Sequence, residues 1–324
     1  MPQDDSQGGS ARRVLPWRLI LVMVVVGVSF LVPAALLSPD GKGAISGFAG
    51  LIPGFFGAML GKRWPSFAAA LATIAAIAGL MLDAGLVGHL LIASALIIAA
   101  GVEAVRFGGR SFVFALYGFL FTLLVPGMPA PADTLPYAAF GVFWGWGAVQ
   151  LLGATAKAAP PPAPRSFGVG LTLFLMIGLA AATAIEHWVD TPYGYWIALF
   201  FTFRAVAPQG QTITGTLRFG LGVAIGSLAA IAAAALHFPA HVMTPVAILL
   251  ALFGLRFLPH PGPWSAAAFT GAVLLAGSLS VETAVFRIEA ALTVVALAGG
   301  LALIIGMIWQ LILREVGPED QSNA

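Results

Sequence analysis

The chain has 324 residues, 60% of them hydrophobic and 9% charged, with a formal net charge of +2. A soluble domain averages about 25% charged residues, and 15 Lys and Arg with 13 Asp and Glu cannot skin one of this length, so a soluble fold is excluded, as are disorder and collagen-like repeats. The basic balance comes from scattered arginines rather than a basic tract, which argues against nucleic acid as a partner.

With a mean hydropathy of +0.97, most of the surface must face lipid. The polar stretch 1–16 reads as a cytoplasmic tail. The apolar run from Trp17 to Leu37 is too long for a signal h-region and lacks a small-residue cleavage site, so it reads as a retained first span. Cutting the rest at charges, Pro and Gly clusters predicts spans at 43–61, 64–82, 86–104, 110–126 and 134–153. After a Pro-rich linker at 154–165 come segments at 166–185, 192–206, 214–236, 242–257, 263–279 and 283–313, then a second tail at 314–324. The expected fold is an all-α polytopic membrane protein of about twelve transmembrane helices. It comprises a first six-helix repeat at 17–153 and a second at 166–313.

Basic residues collect in short cytoplasmic loops. With the N-terminus inside, Arg12, Arg13, Arg18, Lys62, Arg63, Arg106, Arg110, Lys157, Arg165, Arg204, Arg218, Arg256 and Arg314 all fall at cytoplasmic ends, and only Lys42 and Arg287 do not. Both termini are therefore expected in the cytoplasm. A shift of 150 residues lays Asp40 on Asp190 and Arg106-Phe107 on Arg256-Phe257; one residue less lays Asp133-Thr134 on Glu282-Thr283. Halves repeated in the same orientation are a known transporter architecture, though not confined to transporters.

Charges at membrane depth mark sites by default. The segment from Thr191 to Ile231 carries Tyr195, Trp196, Arg204 and Arg218, with Pro208 breaking the helix and Gly222 and Gly226 forming a G-x-x-x-G pair suited to helix packing. Arginine offers a planar fork to a carboxylate and Trp a face to an aromatic ring, so Arg218, Arg204 and Trp196 can form an anion site; anchoring to lipid headgroups is the plainer role for both arginines. Glu282, Arg287 and Glu289 open the last segment as candidates for an ion pair or a proton-coupling group. Glu103 stands three residues before Arg106, a spacing that permits a structural pair. His187 beside Glu186 and Asp190 reads as a solvated surface cluster, and Pro239 spoils the helical spacing of His237 and His241, so no metal site is expected.

The runs YWIALFFTFRAVAP, TGTLRFGLGVAIGSLAA and ETAVFRIEAALTVVALAGGLALI resemble the fusaric acid resistance protein family, which includes the bacterial aromatic carboxylic acid exporters. Tyr195-Trp196 match its opening element, Arg218 with Gly222 and Gly226 partly match its glycine-rich helix start, and Glu282 with Arg287 resembles its late acidic-to-arginine helix. The resemblance covers about residues 170 to 310. Two features depart from the family: its Gly-Thr reads Gly222-Val223 or Gly220-Leu221, and a short Pro-rich linker stands where many members carry a soluble domain.

The resemblance implies a bacterial inner-membrane transporter exporting organic, aromatic carboxylate anions with the proton gradient. Its implied partners are the lipid bilayer, the anion and the proton, with a homo-oligomer or a periplasmic adaptor left open. No cofactor is implied. Walker A, H-E-x-x-H, G-x-S-x-G and D-x-x-x-D patterns are missing from the sequence, so no enzyme is expected. Two alternatives stand: a ten-helix drug/metabolite-type permease, and a non-transporting membrane assembly subunit.

Overall fold

The computed structural model describes residues 14–38, 40–153, 161–189, 194–205, 213–236, 240–257, 262–276 and 281–315. These residues form twelve α-helices and no strand. In the first half of the chain they are α1 (Trp17–Leu37), α2 (Gly43–Met59), α3 (Arg63–Gly79, prolonged by the 3-10 turn Leu80–Leu82), α4 (Gly85–Arg106), α5 (Ser111–Leu124) and α6 (Pro131–Leu151). In the second half they are α7 (Arg165–Val189), α8 (Tyr195–Ala205), α9 (Ile213–Ala235), α10 (Ala240–Arg256), α11 (Trp264–Ala276) and α12 (Val281–Glu315). One helix stands at each of the twelve segments read from the sequence.

Six windows, at Trp17–Leu37, Arg63–Leu82, Gly85–Arg106, Arg165–Trp188, Gly215–Ala233 and Val285–Ile304, are long and apolar enough to cross a bilayer. The surface shows why lipid is the solvent. On α1 a stripe of large exposed apolar side chains, Trp17, Leu21, Val25, Val28, Val32 and Leu36, recurs every three or four residues, and Leu37 beside it is exposed too. On α9 they are Leu217, Leu221, Ile225 and Leu228. Apolar stripes at helical period that face outward are the reverse of a soluble helix, whose stripe faces the core. The protein is an all-α membrane protein.

Four further apolar helices, α2, α5, α10 and α11, are shorter. At about 1.5 Å per residue, α2 reaches roughly 26 Å and α5 roughly 21 Å, below the ~30 Å hydrocarbon core. Short helices are tolerable where protein rather than lipid surrounds them. Twelve of the 17 residues of α2 are buried, and nine of the 14 residues of α5 are buried. The eleven-residue α8 is likewise seated in protein, against α7 and α5, with Phe201 stacked on Phe174 at 4.8 Å.

Two compact units divide the chain, Val26–Ile213 with Leu297–Ala324, and Met1–Val25 with Thr214–Ala296. In the first, α2 packs most extensively on α6 and also touches α5 and α3. The α2–α6 contact is a close approach of backbones, because Gly50 and Gly54 face the carbonyls of Ala138 and Val142, and Gly141 and Gly145 face the α2 backbone in return. In the second, α10 packs on α11, and Gly222 and Gly226 of α9 sit against Pro263 and Ala267. The glycine pair singled out in the sequence thus serves helix packing.

Candidate functional site

Three ionisable side chains are buried among the described residues: Glu103 at 2% exposure, Arg110 at 3% and Arg287 at 5%. Two of them meet at the turn joining α4 to α5. Gly108, with φ +86°, turns the chain in a backbone conformation that side chains disfavour, and the turn is tied to α2 where the Arg110 N–H donates to the Leu60 carbonyl at 3.0 Å. The tight return lays the last turn of α4 beside the first turn of α5.

Glu103 Oε2 there accepts the Phe112 N–H at 3.0 Å, one of the donors a helix start leaves without an internal partner. Glu103 Oε1 lies 2.7 Å from Ser111 Oγ, and Ser111 Oγ lies 2.9 Å from the Gly57 carbonyl of α2. A serine hydroxyl has one hydrogen. With Glu103 ionised, that hydrogen must choose between two acceptors. With Glu103 protonated, the carboxyl donates to Ser111 and Ser111 donates to Gly57, and all three groups are satisfied. The cluster is thus built so that one proton changes its hydrogen-bond pattern.

Arg110 completes the turn. Its guanidinium donates to the Gly109 carbonyl at 2.8 Å and lies over the Phe167 ring of α7, 4.8 Å from the centroid. Arg106, the spacing partner of Glu103, is exposed, and both oxygens of Glu103 are engaged on α5 instead.

The residues singled out for substrate and coupling fall in the two compact units. Tyr195 and Trp196 open α8, their rings 5.1 Å apart, with Phe200 5.2 Å beyond Trp196, so half-buried aromatic rings run along the first turns of this helix. Arg204 stands in its last turn. Arg218 is exposed in the early turns of α9. Glu282, Arg287 and Glu289 all lie in the first turns of α12, with Arg287 buried and Glu289 exposed, as a two-residue offset on a helix requires. His187 is exposed, while Asp190, Pro208, His237 and Pro239 lie outside the described residues.

No family model, curated protein or solved structure matches this chain.

The Glu103 cluster was missed as a site because the sequence shows Glu103 beside Arg106 and hides the return of the chain. The signal available was Phe107-Gly-Gly-Arg110, a glycine turn between two apolar runs that brings residue 103 against residue 111.

Proposed function

We propose that this chain is a bacterial inner-membrane transporter that exports organic anions, aromatic carboxylates foremost, using the proton gradient. The observation that carries the reading is Arg287, buried in the apolar window Val285–Ile304 of α12. Arg287 stands near the start of that window, and a buried charge in a membrane segment marks a substrate or ion pathway by default. In the larger unit Arg204 supplies a carboxylate-binding fork and Tyr195 and Trp196 supply rings for an aromatic substrate; in the other unit Arg218 supplies a fork of its own. Glu282 and Glu289 are the coupling candidates of α12, and Glu103 joins them through its proton-dependent hydrogen bonds.

Repetition of local contacts supports two parallel six-helix halves. The residue ahead of α7 is tied to the end of α4, where the Ala163 N–H donates to the Ala104 carbonyl at 2.9 Å. The residue ahead of α1 is tied to the end of α10, where the Leu15 N–H donates to the Arg256 carbonyl at 2.9 Å. Each of these junctions carries an arginine over a ring, Arg110 on Phe167 and Arg256 on Trp17. In each unit the chain entering the first helix of one half is thus bonded to the end of a fourth helix of the other, and this recurrence supports reading the halves as repeats.

The test is retention of a labelled hydroxybenzoate-type acid in a bacterium stripped of its own weak-acid exporters. Wild type is expected to lower retention several-fold, an effect lost when the proton gradient is collapsed. Arg218→Ala is expected to raise retention toward the empty-vector level, and Glu289→Gln to weaken the dependence on the gradient. Correct insertion with unchanged retention across a panel of aromatic acids would remove the anion-export reading and favour the assembly-subunit alternative.

A further inference from the structure

A small hollow of about 100 Å³ opens where the start of α3 meets the C-terminal half of α6, lined by Arg63, Trp64, Phe67 and Trp146. Its floor is fixed. Phe67 and Trp146 pack with ring centroids 5.1 Å apart, Trp146 Nε1 donates to Ser66 Oγ at 3.2 Å, and Ser66 Oγ donates in turn to the Arg63 carbonyl at 3.0 Å. The rim is charged and open: Arg63 lines it and is exposed, Lys62 precedes it in the chain and is exposed too, and Trp64 is 77% exposed. Among the described residues the ion pair is Lys42 with Asp40, and no carboxylate stands within ion-pair reach of Lys62 or Arg63.

The position fixes the depth. Arg63 is the first residue of the apolar window Arg63–Leu82, so the hollow lies at the membrane–water boundary, where exposed tryptophan settles and where lipid phosphates stand. Two cations with no acidic partner among the described residues, beside a rigid apolar floor too small for a whole aromatic drug, match a phosphodiester with hydrocarbon attached. Cations at this depth attract acidic lipids, and a guanidinium fork matches phosphate geometry.

We propose that this hollow binds the headgroup of an anionic phospholipid, with Arg63 and Lys62 on the phosphate and the Trp64, Phe67 and Trp146 rings against the glycerol and first acyl carbons. The site is independent of the anion-export reading.

Native mass spectrometry of the full-length protein in neutral detergent tests it, with phosphatidylglycerol and phosphatidylcholine as probes. Wild type is expected to retain one phosphatidylglycerol at activation energies that strip phosphatidylcholine. Arg63→Gln combined with Lys62→Gln is expected to weaken that retention about tenfold, whereas Arg106→Gln, an exposed cation at the end of α4, leaves it unchanged. Should the double variant fail to fold, Trp146→Phe is read instead: it keeps an aromatic floor but releases the hydrogen bond to Ser66, and a several-fold loss is expected. Equal retention of the two lipids, or wild-type retention by the variants, overturns the proposal. Displacement of the lipid by an equal concentration of inorganic phosphate would also overturn it and reassign the hollow to a soluble anion.

Discussion

Gly54→Ala is expected to destabilise the protein by about 1–3 kcal/mol, and Gly54→Val to leave little monodisperse protein after detergent extraction. A Cβ added at Gly54 lands on the Val142 carbonyl oxygen and comes within 2.8 Å of the Val142 Cα, all backbone of α6 that no rotamer change can move aside. The helices must separate, and the separation forfeits dispersion contacts along the most extensive helix pair of the larger unit. Gly147 is the control. It lies on the same α6 with nothing within 4 Å of an added Cβ, so Gly147→Ala should be neutral or gain up to about 1 kcal/mol of helix propensity. Thermal unfolding followed by size-exclusion fluorescence separates the two, and equal midpoints for Gly54→Ala and Gly147→Ala would refute the close-packed reading of α2 on α6.

The second large effect is expected at Glu103, where alanine and glutamine should part company. Glu103→Ala leaves the Phe112 N–H without its buried partner, at roughly 1–3 kcal/mol, while the Ser111 hydroxyl keeps its donation to the Gly57 carbonyl but loses the bond to Glu103. Glu103→Gln keeps the shape. Its carbonyl can accept from Phe112, and its amide can donate to Ser111, which then donates to Gly57, the same pattern as a protonated carboxyl. The glutamine variant should therefore fold with near wild-type thermal stability while the alanine variant loses several degrees. On the proposed proton-coupled export, a coupling role for Glu103 predicts that Glu103→Gln makes export indifferent to the gradient, whereas a purely structural Glu103 leaves gradient dependence intact. A glutamine variant as unstable as the alanine one would refute the hydrogen-bond assignment.

These two positions mark where the sequence was legible and where it was not. Hydropathy placed every helix, and α1 runs from Trp17 to Leu37, the residues at which charge and proline cut the apolar run. Hydropathy reports transfer into an apolar phase and is blind to whether that phase is lipid or protein, so α1 and α2 look alike by hydropathy although one faces outward and the other is enclosed. Enclosure was written in residue size. Gly43, Gly47, Gly50, Gly54 and Gly57 in α2 and Gly141 and Gly145 in α6 carry the spacing that lets helices touch, the spacing recognised in the sequence at Gly222 and Gly226. The partner of Glu103 was illegible for another reason. Spacing within a helix names neighbours three or four residues away, whereas Ser111 reaches Glu103 through a turn and a second helix.

The enclosure of α2 bears on how such a chain can change over evolutionary time. Along the outward stripe of α1, any apolar side chain satisfies lipid, so Leu21, Val25, Val28 and Val32 are free to drift among Leu, Ile, Val and Phe with little selective consequence. The interior helix inverts that tolerance: its least hydrophobic and smallest residues, Gly50 and Gly54, are the ones that cannot be exchanged, while Phe48, 37% exposed, can. An alignment of descendants of this chain would then score α1 as variable and α2 as nearly frozen, and the frozen track would trace a packing seam, not a binding site.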